Sequence, residues 1–170
     1  VISQLALERC QRFVATAISD GGRQVAGAKA LDLDAPFTQG YYIRPTIFAD
    51  VQPHHLLFND EVFGPVISIT PFDTDEEATE LANAGEFGLG VSSWSRDISR
   101  GHRLSRQIRG GIVWLNDHHR NDPRSVWGGV KDSGFGKENG WDALRGYLTK
   151  KSIVVRTEPG FDDWFAGSNR

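Results

Sequence analysis

Apolar residues at the start of the chain recur near the helical period. Ile2, Leu5, Ala6, Cys10, Phe13, Val14 and Ala17 fall on one stripe, with Gln4, Glu8, Arg9 and Gln11 on the other faces. That spacing predicts a helix, and Gly21-Gly22 is its stop. A short strand is expected over 24–29. A loop follows over 31–40, where Asp32, Asp34, Pro36 and Gly40 gather, then an extended piece over 41–48 that Pro45 confines to an edge or a strand start. Val66-Ile67-Ser68-Ile69-Thr70, bracketed by Pro65 and Pro71, is a β-branched strand. Phe72 as a staple, with Thr74 and Glu77 as a capping box, opens a helix. Its buried stripe is Ala78, Leu81 and Ala82, and it ends at Gly85. A strand is expected over 89–94, a helix over 97–108 and, after Gly110-Gly111, the strand Ile112-Val113-Trp114-Leu115. In the 97–108 helix Arg96, Arg100 and Arg103 share one side and Ile98, Leu104 and Ile108 the other, the pattern of a solvated basic face. A long polar loop then runs from Asn116 to about Gly136, followed by a helix over 137–147 and a strand over 152–155.

Alternating helices and strands predict an α/β fold with parallel pairing and helices packed on the faces of the sheet. Ligands of such sheets collect in loops beyond the carboxyl ends of strands, and the 116–136 loop is longer than a plain connection needs. The composition is that of an ordinary globular protein: 170 residues, 39% hydrophobic and 24% charged. With 19 Lys+Arg against 22 Asp+Glu, the net charge of -3 leaves no basic excess to neutralise a phosphate backbone, so nucleic acid is not an expected partner. The apolar stretches fall well short of the ~20 residues of a membrane helix, so no membrane partner is expected. A single cysteine excludes an internal disulfide and fits a reducing compartment, giving the expectation of a cytoplasmic protein. The chain contains no methionine and opens at Val1, which reads as a fragment of a longer polypeptide. The tail, 157–170, has no periodicity and is expected to be loosely held or docked on a partner.

Several side-chain groups carry candidate chemistry. In Asn59-Asp60-Glu61-Val62-Phe63-Gly64-Pro65-Val66 two acids precede an aromatic and a Gly-Pro turn, directly ahead of a strand. A carboxylate held there can accept two hydrogen bonds from a sugar diol, and the ring two residues on can support a flat heterocycle. The competing reading is a solvated acidic loop. The run 128–137 is glycine-dense and opens a helix, but its spacing matches neither a P-loop nor a dinucleotide fingerprint, so tight turns between layers explain it better than a phosphate cradle. His118 and His119, adjacent on an extended segment, point to opposite sides and chelate poorly, so no metal is expected. Cys10 lies in the middle of a helix among apolar neighbours and reads as a buried, inert thiol rather than a nucleophile.

Five blocks of sequence resemble the C-terminal third of the NAD(P)-dependent aldehyde dehydrogenase superfamily, in the family's order. They are Tyr42-Ile43-Arg44-Pro45-Thr46-Ile47-Phe48, Asp60-Glu61-Val62-Phe63-Gly64-Pro65-Val66, Glu86-Phe87-Gly88-Leu89, Gly111-Ile112-Val113-Trp114-Leu115-Asn116, and the run from Trp127-Gly128-Gly129 through Ser133-Gly134-Phe135-Gly136-Lys137-Glu138-Asn139-Gly140. The resemblance spans 1–156. It implies that Glu61 holds the nicotinamide-ribose hydroxyls of NAD or NADP, that Phe63 contacts that ribose and the nicotinamide, and that Leu89 lies near the ring. It further implies that 116–127 lines the aldehyde entrance, with Asn116, His118, His119 and Asn121 facing it and Trp127 as an aromatic wall. On this reading 1–132 is the C-terminal portion of a catalytic domain, an open and mostly parallel sheet with flanking helices. Residues 133–147 are a helix returning to an absent coenzyme domain, and 148–156 a strand that joins a neighbouring subunit into a homo-oligomer.

Such enzymes need a nucleophilic cysteine, a general-base glutamate and an asparagine donating to the oxyanion, all upstream of this segment in the family. The flanks of Cys10, Glu8-Arg9-Cys10-Gln11, do not match the nucleophile motif, so no catalytic residue is assigned within the chain. Val126 stands where family members often carry proline. The expectation is an inactive portion of an enzyme that oxidises an aldehyde to a carboxylic acid. A non-catalytic α/β binding or oligomerisation module is the alternative. The large Trp127 surface suits an aryl group or, through cation–π attraction, an amino or quaternary ammonium aldehyde.

Overall fold

The computed structural model describes residues 1–27 and 31–160. Helix α1 (Gln4–Ser19) starts where Ser3 accepts the Ala6 N–H at 3.2 Å. It ends in a Schellman turn, with Gly22 N–H on Ala17 O at 2.9 Å and Gly21 in the left-handed region at φ +89°. Cys10, Phe13, Val14 and Ala17 are buried as the spacing predicts, but Ile2 and Leu5 are exposed, because no element among the described residues covers the first turn.

Strand β1 (Arg23–Ala26) pairs antiparallel with β2 (Thr46–Ala49), which pairs parallel with β3 (Val66–Ser68). The central strand β2 is the most enclosed, with Thr46, Phe48 and Ala49 buried. A 3-10 turn at Phe37–Gln39 interrupts the loop before it. The parallel β2–β3 pair requires a crossover, and α2 (Leu56–Asn59) lies in it and packs on α1. One apolar cluster results: Cys10, Phe13, Val14, Ala17, Phe48, Val51, Leu57 and Val62.

Among the described residues, the second half of the chain has no such core. Helix α3 (Asp75–Ala84) is capped by Thr74, whose Oγ1 accepts the Glu77 N–H at 3.1 Å while the Glu77 carboxylate accepts the Asp73 N–H at 2.7 Å. Its intended stripe is not buried: Ala78 and Leu81 are half-exposed and Ala82 exposed, lining an open cleft with Phe72, Phe58 and Phe87. The strand expected over 89–94 is split into β4 (Phe87–Gly88) and β5 (Gly90–Ser93), with Leu89 at the break. Strand β5 pairs parallel with β6 (Ile112–Leu115) through α4 (Ile98–Gln107). Gly101 of α4 sits so close to Leu115 that a Cβ there would lie 2.4 Å from its Cδ1, which is why α4 can rest on β6. Two arginines of the expected solvated face reach across to α3: Arg100 donates to Asp75 at 2.7 Å and Arg103 lies 3.9 Å from it.

Three expectations need correction. The sheet is not one open, mostly parallel sheet within this chain but three small ones, β1-β2-β3, β5-β6, and an antiparallel pair of β4 with β7 (Val130–Lys131), the last formed inside the loop read as 116–136. The helix over 137–147 is shorter, α5 (Gly140–Gly146), because 137 and 138 are held by other contacts: Lys137 Nζ donates to Gly129 O and Glu138 bridges to Trp127. The 152–155 strand does not form, and Ile153, Val154 and Val155 are 80%, 93% and 74% exposed. A strand needs a ladder partner, and none of the described residues supplies one. Of the tail, 161–170 lies outside the described residues. After Val62, the buried residues among those described are all glycines, Gly88, Gly101, Gly128 and Gly129. The α3–α5 half therefore carries an apolar surface, including Phe72, Phe87, Trp94, Phe135 and Trp141, that the described residues leave open.

Candidate functional site

The loop that follows α2 is tightly prepared. Asn59 Nδ2 donates to Pro53 O at 2.7 Å and to His55 O at 3.1 Å, closing the helix end. His55 itself is buried, with Nδ1 accepting the Gln52 N–H at 3.3 Å. The chain then runs extended, so that Val62 turns into the core while Glu61 and Phe63 turn out. Both line a cavity of about 380 Å³ with Asp60, Gly64, Val66 and Ser68. The Glu61 carboxylate has no hydrogen bond or ion pair among the described residues, so all its acceptor positions are free. Phe63 is 71% exposed and holds φ +56°, a left-handed conformation that is costly for a bulky side chain.

Helix α1 supports this turn from beneath. Arg9 Nη2 donates to Phe63 O at 3.3 Å, and its guanidinium carbon lies 5.6 Å from the Phe63 ring centroid. Cys10 is 0% exposed and sits directly under Gly64. A Cβ at position 64 would lie 2.2 Å from Cys10 Sγ, so only glycine permits this approach. The thiol is a packing group, and it faces no open site.

Asn116, His118, His119, Asn121 and Trp127 follow β6. Asn116 takes φ +55° and commits both ends of its amide to one residue: Oδ1 accepts Ser95 N–H at 2.8 Å and Nδ2 donates to Ser95 O at 2.9 Å. It is a clamp between the ends of β5 and β6, and it borders an open cavity with Trp94, Ser95 and Arg96. The His118 and His119 rings lie 5.8 Å and 6.1 Å from the Trp114 ring, and 5.9 Å from each other. Ser92 Oγ is 2.7 Å from His118 Nδ1. Trp114 Nε1 donates to Arg120 O at 2.7 Å, which folds the turn back over the strand end. Asn121 is exposed. The loop's other charges neutralise each other, Asp117 with Arg120 and Asp122 with Arg124; the Arg124 hydrogen bonds hold the Asp122 carboxyl below its ordinary value. Trp127 exchanges both backbone hydrogen bonds with Glu138, at 2.8 and 2.7 Å, and its indole Nε1 is buried without a hydrogen-bond partner among the described residues. Leu89 O accepts from Gly111 and Ile112, leaving its side chain partly exposed at the β4–β5 break. The glycine run 128–137 folds on itself, the Lys137 amine meeting Gly129 O, which is turn chemistry rather than a phosphate cradle.

Two groups thus come together, Glu61 with Phe63 and the His118–His119 pair with Trp114. Sequence reasoning missed Arg9, Ser92 and Ser95. No local pattern marks any of them, because each is defined by a contact with a residue distant in the chain.

A model of the aldehyde dehydrogenase family matches residues 1–153. Betaine aldehyde dehydrogenase of Cereibacter sphaeroides is 38% identical over 159 residues, covering 94% of this chain and 32% of that protein. Phenylacetaldehyde dehydrogenase of Pseudomonas fluorescens is 37% identical over 156 residues, covering 91% of this chain and 30% of that protein. Among solved structures, betaine aldehyde dehydrogenase from Staphylococcus aureus in complex with NAD+ superposes with a TM-score of 0.90 at 33% identity, covering 98% of this chain and 33% of that one. The chain spans about a third of the length of the curated relatives it matches.

Proposed function

The chain belongs to the aldehyde dehydrogenase family, and from that premise we propose that it is the C-terminal third of an enzyme that oxidises an aldehyde to a carboxylic acid with NAD(P)+. The observation that carries the proposal is the free Glu61 carboxylate beside the exposed, left-handed Phe63 ring, on a turn held from below by Arg9 and Cys10. The residues fit the coenzyme: a carboxylate with both oxygens free accepts the two hydroxyls of the nicotinamide ribose, and the Phe63 face meets the flat end of the molecule. When bound, the nicotinamide supplies the hydride acceptor.

The chain's own residues bind and orient. Glu61 and Phe63 hold the ring so that hydride transfer is a positioned, near-unimolecular step. Leu89 bounds the ring's side of the site. The loop 116–127 forms the aldehyde entrance, with His118, His119 and Asn121 as its polar rim and Trp127 as its aromatic wall. No residue here supplies the attacking thiolate, since Cys10 is enclosed in the core and has no open side. The open apolar surface of α3–α5 supports packing against the rest of such an enzyme, with 140–146 against its coenzyme domain and 148–156 as the strand that joins a second subunit.

The test compares two polypeptides, the whole reading frame that contains this sequence and the 170-residue chain alone. Aldehyde-dependent NADH or NADPH formation is expected from the first and none from the second, with phenylacetaldehyde and betaine aldehyde as competing substrates. Turnover by the short chain, or an upstream frame lacking a cysteine nucleophile motif and a glycine-rich coenzyme segment, overturns the proposal in favour of a binding or oligomerisation module.

A further inference from the structure

Ser92 stands in β5 as the register partner of Trp114 in β6. Its hydroxyl therefore rises beside the indole against which the His118 ring lies, and it meets His118 Nδ1 at 2.7 Å. The turn that carries His118 is held at both ends, by the Asn116 amide on Ser95 and by the Trp114 indole on Arg120 O. The ring is thus fixed in place, not merely near. The half-buried Ser92 hydroxyl makes no other side-chain hydrogen bond among the described residues, so its one contact is with Nδ1. A neutral imidazole that accepts at Nδ1 carries its hydrogen on Nε2, and His118 is exposed. The carboxylates flanking it in the loop, Asp117 and Asp122, are already opposed by Arg120 and Arg124.

We propose that Ser92 is a positioning residue for substrate selection: by donating to His118 Nδ1 it presents Nε2–H as a fixed donor at the entrance, and the site takes aldehydes that carry a hydrogen-bond acceptor, above all a carboxylate, away from the reacting carbonyl. This rests on the reading of 116–127 as the aldehyde entrance. It also separates substrate classes that the Trp127 wall leaves open, because a fixed donor disfavours an ammonium group.

The polypeptide encoded by the whole reading frame is assayed with succinic semialdehyde and butyraldehyde, which match in chain length and differ in the carboxylate. Ser92→Ala raises KM for succinic semialdehyde about fivefold, the worth of one hydrogen bond of ordinary net strength. The KM for butyraldehyde and both kcat values stay put, and Ser92→Thr, which keeps the hydroxyl, restores the wild-type ratio. Equal changes for the two aldehydes, no change, or a wild-type preference for butyraldehyde overturns the inference. A wild type that oxidises no aldehyde overturns the enzyme reading itself, and the inference with it. Nitrogen NMR of the polypeptide encoded by the whole reading frame reads the geometry independently of turnover: Ser92→Ala displaces the His118 Nδ1 resonance and Ser92→Thr does not. An unmoved resonance in Ser92→Ala refutes the hydrogen bond.

Discussion

Replacing Gly64 by alanine sets one methyl group against one sulfur atom. The new Cβ would lie 2.2 Å from Cys10 Sγ, whereas the next atoms, Cys10 Cβ at 3.7 Å and Val62 Cγ1 at 3.8 Å, are ordinary neighbours. Normal contact begins near 3.4 Å, so one side must yield by about 1.2 Å. The thiol has little room to do so. It is fully enclosed among Phe13, Val14, Phe48 and Val62, and a helical side chain has few alternative rotamers. Overpacking of this kind costs roughly 1–3 kcal/mol. Cys10→Ala removes the sulfur, at about 1 kcal/mol for the small cavity left behind. In that background Gly64→Ala meets only the ordinary neighbours and costs less than about 0.5 kcal/mol, so the cycle shows a coupling of roughly 1–2 kcal/mol. Urea unfolding of the four chains, followed by circular dichroism and compared at constant slope, measures it. A Gly64→Ala cost that is the same with and without the sulfur would show that Cys10 is not what the turn rests on, and the packing argument would fail.

Asn116→Ala removes the amide that joins Ser95 to the end of β6; two lost hydrogen bonds destabilise the chain by about 1–3 kcal/mol, read as a lower urea midpoint, and an unchanged midpoint counts against the clamp. Hydrogen bonding from Arg100 holds the Asp75 carboxyl below its ordinary value, so the α3–α4 link is complete above the usual carboxylate range and is lost as pH falls through that lowered value. Amide exchange in α3 should accelerate at acid pH in the wild type and show no such pH step in Asp75→Asn, which has already lost the charge pair. In the whole enzyme, Glu61→Gln replaces a charge-assisted acceptor with a neutral one and slows hydride transfer roughly tenfold in single turnovers; unchanged single-turnover kinetics removes Glu61 from the coenzyme site.

The elements that were legible beforehand are those set by near neighbours. The Cys10–Ala17 part of the α1 stripe, its glycine stop, the Thr74 cap and the 112–115 strand all follow from contacts within a few residues, and the structure has each of them in place. The Asp60–Gly64 segment was legible as a candidate because its acids, aromatic and turn residues are contiguous. The Asn116 side chain was legible only as polar. Its commitment to Ser95 depends on the parallel register of β5 with β6. The same limit explains the 152–155 segment, whose residues have strand propensity and no partner.

Local chemistry by itself determined the helices α1, α3 and α4 with their caps or glycine stops, and the 112–115 strand. Propensity, capping and side-chain alternation act over a few residues, so they are written in the order of the amino acids. Tertiary structure alone decided that Arg9 and Cys10 come to lie under the Phe63–Gly64 turn, that Ser92 meets His118, and that the sheet divides into three. Those outcomes depend on which surfaces find a partner to bury against, and that is a property of the folded whole.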